Sequence, residues 1–247
     1  MPGLQRSPSD DDLTSRAIAT LSSGTAEVLG LLPYSSNYTF LARLKDEQNE
    51  ILAVYKPTRG EQPLWDFPPG TLAARELAAY LVSEAARWKI VPPTVLRDDL
   101  PLGEGSLQLF VEHDPDRHYF AVMDEYRDVL RIFAAFDIVT NNADRKGGHV
   151  IEDSSRRLWA VDHGLTFNAE NKLRTVIWAF AGEALDAELR KDLEALGELL
   201  EGSFGRELAG VLSDEEARAT LERVEALLLE DTFPAPAGNR PLPWPLV

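Results

Sequence analysis

Apolar residues recur along the chain with two periods. Residues 38–44 and 51–56 alternate apolar with other side chains around the charged turn 45–50, which predicts an antiparallel hairpin. Period two then places Leu52, Val54 and Lys56 on one face, so a lysine rises from an apolar floor before Pro57 ends the strand. A preceding strand reaches this hairpin through the small polar turn Ser35-Ser36-Asn37. After the breaker Pro68-Pro69-Gly70, residues 71–88 carry Ala73, Leu77, Tyr80 or Leu81, and Trp88 at helical spacing, with Glu76 in the second turn. Two more strands are predicted at 91–96 and 105–111. The run His113-Asp114-Pro115-Asp116 reads as a polar connector, and 124–140 is a strong helix through Val129, Ile132, Phe133, Phe136 and Val139. A short Val150-Ile151 strand, an Asp-Ser-Ser turn and a second strand at 158–161 follow. Leu189, Leu193, Leu196 and Leu200 mark one later helix; Ala217, Leu221, Val224 and Leu228 mark another, opened by a Ser213/Glu216 capping box. The segment 234–245 is too rich in proline for a helix or a central strand, and Trp244 suggests either that it packs back onto the body or, equally, that it awaits a partner.

The order of these elements predicts an α+β chain: a disordered or loosely attached tail over 1–15, a small antiparallel-sheet lobe with one helix over 16–112, and a mainly helical lobe over 113–247. At 247 residues and 44% hydrophobic content the chain can bury a sizeable core. It has no cysteine, which excludes disulfides and thiolate metal sites. The polar start and the lack of any long apolar run predict a cytoplasmic protein without stable membrane insertion. A net charge of −16 argues against nucleic acid and anionic membranes as partners.

Against that acidic background, several polar residues stand at breaks between apolar runs. Phosphoryl transfer needs charge neutralisation at the phosphates, a group that positions the acceptor hydroxyl, and a divalent metal on hard ligands. Lys56, above the floor that includes Val54, can hold the phosphates of ATP, and Glu76 can hold Lys56. Ser35, Ser36 and Asn37 can cradle phosphate. Asn142 and Asp144 follow the 124–140 helix, where Asp144 can orient or deprotonate the acceptor. Asp162 with His149 can bind the metal, and Gln108, Phe110, Val111 and Glu112 can line the adenine site. Each residue alone has an ordinary reading as a surface charge or a turn former. Their order along the chain gives them joint meaning.

With those residues in view, the chain resembles the phosphatidylinositol 3-/4-kinase-like branch of the protein-kinase-like superfamily, including type II phosphatidylinositol 4-kinases and HipA-like kinases. Ala53-Val54-Tyr55-Lys56-Pro57 is similar to their Lys-Pro strand and Arg75-Glu76-Leu77 to their helix with the paired Glu. Asn142-Ala143-Asp144-Arg145 resembles their Asn-x-Asp-Arg catalytic loop, and Asp162-His163-Gly164-Leu165 their Asp-x-Gly segment. The resemblance implies a two-lobed kinase fold, ATP, and Mg²⁺ or Mn²⁺. One position departs from the pattern: His149 stands where these families commonly place a metal-binding Asn, and imidazole suits transition metals better than Mg²⁺. The expected activity is transfer of the γ-phosphate to a hydroxyl-bearing acceptor, lipid, protein or small molecule. The alternative is a nucleotide-binding pseudokinase acting as a regulatory module.

Overall fold

The computed structural model describes residues 10–32 and 38–247, so the Ser35-Ser36-Asn37 turn lies outside the described residues. The chain forms two compact units, one drawn from Met1–Gln62 and Pro93–Phe110, the other from Pro63–Pro92 and Val111–Val247.

The first unit is an antiparallel five-stranded sheet in the order β1-β2-β3-β5-β4, with β1 Thr25–Leu31, β2 Phe40–Lys45, β3 Glu50–Pro57, β4 Thr94–Arg97 and β5 Gly105–Leu109. Ala42, Leu44, Ala53, Tyr55 and Leu107 line one face and meet Leu21 of helix α1, Asp10–Ser23. The other face carries Lys56 opposite Ser106, and Val54 opposite both Leu41 and Gln108. The predicted alternation on β3 is therefore present.

Helix α1 corrects the tail reading over 10–15, while residues 1–9 lie outside the described residues. Residues 10–15 are its first turns, and its later turns bury Ala17, Thr20 and Leu21. Leu21 closes the sheet core, while Arg97 donates to the carbonyls of Leu21 and Gly24 at the helix end, supplying donors to carbonyls that have none within the helix.

The second unit holds α2 Leu72–Ala85, α3 Tyr119–Val122, α4 Arg127–Val139, α5 Ala187–Glu201, α6 Ser203–Val211 and α7 Asp214–Glu230. A three-stranded antiparallel sheet, β6 His113–His118, β7 Val150–Asp153 and β8 Leu158–Ala160, completes it. Residues 113–116, expected as a connector, belong to β6: polar residues suffice because the strand pairs with β7 only at His113 and His118. Segment 63–92 packs here through buried Arg75 and Glu76, through Trp88 Nε1 donating to Asp192, and through Ala160 N–H donating to Ile90. The capping box is present, with Ser213 Oγ accepting from the Glu216 N–H and the Ser213 N–H donating to Glu216 Oε2. Among the described residues, no helix is long and apolar enough to cross a membrane.

Candidate active site

Helix α4 delivers the chain to the first acidic loop. Its amphipathic face buries Leu130, Phe133, Phe136 and Val139, and Asn141 just beyond it takes a left-handed conformation at φ 51°. Asn is among the few side chains that adopt this backbone readily, and here it turns the chain out of the helix. The Asn141 side chain then donates to the carbonyls of Asn168 and Glu170, pinning the end of the second acidic loop.

Asn142, Asp144, His149, Asp162 and Glu76 all lie in the second unit and are joined by one polar network. Asn142 Oδ1 accepts from the Asp144 N–H at 3.0 Å, and Asn142 Nδ2 donates to Asp137 at 3.1 Å. Arg145 is the hub. Its Nε lies 2.9 Å from Asp137 Oδ1, its Nη1 donates to the carbonyls of His149 and Val161, and its Nη2 donates to His163 Nε2 at 2.9 Å. Since a guanidinium can only donate, His163 Nε2 is the unprotonated nitrogen. Both loops are thereby fastened to one buried cation.

Helix α2 grips the second loop. Glu76 Oε2 accepts from the His163 N–H at 3.0 Å, and neighbouring Arg75 donates to the Thr166 carbonyl at 2.6 Å and to Glu216 of α7. Gly164 follows at this approach, where a Cβ would lie 3.4 Å from the Leu72 Cβ and 3.7 Å from Glu76 Oε1, ordinary contact distances. Asp162 sits at φ 61°, a sparsely populated conformation for a residue with a Cβ and one that concentrates at functional sites.

Asp144 is partly shielded, and burial raises its carboxyl above the usual range. The charge of Asp162 adds to that rise, whereas Lys146, whose Nζ lies 3.1 Å from Asp144 Oδ2, and Arg174 oppose it. Sequence reasoning passed over Lys146, although a base two residues after the acid in so acidic a chain was the signal available. Arg145, His163 and Arg75 stand in the quoted motifs without an assigned role, and Asp137 carries no sequence signal, because the partners of these buried groups are set by the fold.

His149 Nε2 faces Asp162 Oδ2 at 3.3 Å, and its Nδ1 accepts a long 3.4 Å bond from the Lys146 N–H. Asp162 is 51% exposed, open to further ligands. A cation whose remaining ligands are phosphate oxygens and water fits such a pair, since divalent ions at nucleotide sites are often held by few protein groups. Among the described residues no cluster of three or more His, Asp or Glu converges as a self-sufficient metal cage.

The other expected residues belong to the first unit or to the crossing from it. Lys56 is half-buried on β3; Gln108 on β5 donates to Thr94 Oγ1 at 2.9 Å. The Phe110 N–H donates to Leu52, Val111 O accepts from His113 Nδ1, and Glu112 is exposed.

No known family model matches the chain. Protein Rv2133c of Mycobacterium tuberculosis is 39% identical over 262 aligned positions, spanning 92% of this chain and 94% of that protein. Among solved structures, a Golgi casein kinase with Mn and ADP bound superposes with a TM-score of 0.57 at 13% identity, over 90% of this chain and 76% of the other. Hydra Fam20 with sugar gives 0.52 at 15% identity, over 90% and 88%. The two-lobed α+β fold is thus of the protein-kinase-like type.

Proposed function

This chain belongs to the family of the mycobacterial protein Rv2133c, and from that premise and its kinase-like fold we propose an ATP-dependent phosphotransferase that acts on a hydroxyl-bearing acceptor. The observation that carries this reading is the Arg145 hub, which fastens the loop of Asp144 and the loop of Asp162 to each other through His149, Val161 and His163. Two acids held in fixed relation, one shielded and one open, suit the two different tasks of phosphoryl transfer.

Asp144 positions the acceptor hydroxyl and takes its proton, a role favoured by the upward shift that burial and the Asp162 charge produce. Asn142 holds the Asp144 backbone. Lys146, next to Asp144, offers positive charge toward the transferring group. Lys56 is assigned to the nucleotide phosphates and the segment from Gln108 to Glu112 to the base, with Val54 as part of its floor. Asp162 and His149 would hold the divalent cation, Mg²⁺ or Mn²⁺, which when bound supplies charge neutralisation at the β- and γ-phosphates. Glu76 supports the reading by fixing the backbone of the Asp162 loop.

The finer assignment to the phosphatidylinositol 3-/4-kinase-like branch rests on the Asn142-x-Asp144-Arg145 and Asp162-x-Gly164 motifs. The net charge of −16 favours a protein or small-molecule acceptor over an anionic lipid surface. His149 in place of Asn favours one competing reading, a pseudokinase that binds nucleotide without turnover. Incubation with γ-labelled ATP and either Mg²⁺ or Mn²⁺, scored against Asp144→Ala and Asp162→Ala, separates the two. Label transfer lost in both variants supports the transferase; binding without transfer in any metal supports the pseudokinase; no nucleotide binding at all overturns both.

A further inference from the structure

The proline-rich segment 240–247 contains no residue assigned to nucleotide or metal, yet it is joined to the Asp144 loop. Leu246 O accepts from the Gly147 N–H at 2.7 Å, and Pro241 O accepts from the Thr175 N–H and from Trp178 Nε1, both at 3.1 Å. Gly147 lies between Asp144 and His149. Thr175 lies on the strip that pairs with the same loop: Arg145 N–H donates to Arg174 O, Val176 N–H to Arg145 O and Arg174 N–H to Asn142 O. The segment therefore contacts both partners of that pairing by main-chain bonds.

Three features make this a built contact. Pro241, Pro243 and Pro245 have no N–H, so the segment mainly presents carbonyls, and the prolines limit its backbone freedom before docking. Gly147 leaves room for the contact, because a Cβ would meet the Phe120 ring at 2.9 Å and crowd Leu246 O at 3.3 Å, so that one of them would have to shift. The apolar side chains contribute little, since Leu242, Trp244, Leu246 and Val247 are all exposed while Pro243 is buried. Side-chain burial is thus not what fixes the segment; its carbonyls on loop amides do.

We infer that segment 240–247 is a positioning strap, which holds the Gly147 turn and so sets Asp144 relative to His149. This rests on the reading of the Asp144 loop as catalytic, but the strap itself has a readout independent of activity. Amide hydrogen exchange is measured at Gly147 and Thr175 in the full chain, in a chain ended after Asn239, and in full-length Trp178→Phe. Protection at both amides is expected in the full chain, lost by tenfold or more in the shortened chain, and reduced at Thr175 in Trp178→Phe. In the transfer assay the shortened chain is expected to keep its affinity for ADP and lose tenfold or more in kcat, with recovery on adding the synthetic peptide 240–247. Unchanged exchange at Gly147 and Thr175 in the shortened chain overturns the strap. Lost protection with unchanged kcat overturns its positioning role. If the full chain transfers no phosphate, the proposed activity fails while the exchange result still decides whether the strap exists.

Discussion

Asp137 and Arg145 form a fully buried ion pair, with Arg145 Nε 2.9 Å from Asp137 Oδ1 and no exposure of either side chain. Burial pushes the Asp137 carboxyl upward, against the pull of Arg145, Thr175 and Asn142. Removing the guanidinium would strand a carboxylate away from water and release both acidic loops. Arg145→Met is therefore expected to destabilise the fold by about 3–5 kcal/mol in urea denaturation. A loss below about 1 kcal/mol, the scale of exposed pairs, would show that the hub is not needed for folding.

Asp144→Asn should separate stability from activity. The folded state holds this carboxyl above its usual range, so ionisation as pH rises through the interval between unfolded and folded values disfavours the fold, and the full penalty is present above it. The substitution removes that penalty. Thermal unfolding at about pH 7 is expected to move up by about 1–3 °C, the difference fading near pH 4, while phosphate transfer is lost. A variant that unfolds at lower temperature than the parent at neutral pH contradicts this account.

His149 faces Asp162 with an imidazole nitrogen. Nitrogen donors favour Mn²⁺ over Mg²⁺ relative to an amide oxygen, so His149→Asn is expected to shift the ratio of Mn²⁺- to Mg²⁺-supported nucleotide binding toward Mg²⁺, by on the order of tenfold. Calorimetric titration of each metal with ADP reads this directly. An unchanged ratio would remove His149 from the metal set.

Lys56 is half-buried on the sheet face opposite the α1-packed core. Lys56→Met keeps the aliphatic stem and removes the charge, so ATP affinity should fall by about tenfold or more. Fluorescence titration with an ATP analogue tests it, and parent-like affinity would exclude Lys56 from phosphate binding.

The parts of this protein legible from sequence are those with local causes. Alternation on β2 and β3, the Phe133, Phe136 and Val139 part of the α4 stripe and the Ser213/Glu216 cap depend on residues a few positions apart, whereas Val129, expected on that stripe, is exposed and Leu130 is buried instead. Equally local are the paired motifs around Asp144 and Asp162, which residue type and spacing mark out along the chain. Helix α1 escaped notice because its polar start conceals how few residues, Ala17, Thr20 and Leu21, face the sheet. Strand β6 escaped because pairing at its edge, rather than apolar content, makes it a strand.

Sequence alone determined the elements with a local apolar period, the acidic loops and the residue types available to them. Tertiary structure decided which buried charges meet: Arg145 with Asp137, His163 and two loop carbonyls, Glu76 with the His163 amide, and the 240–247 carbonyls with Gly147 and Thr175. The physical reason is that backbone donors and acceptors are alike at every residue, so only the folded chain selects which of them face one another away from water.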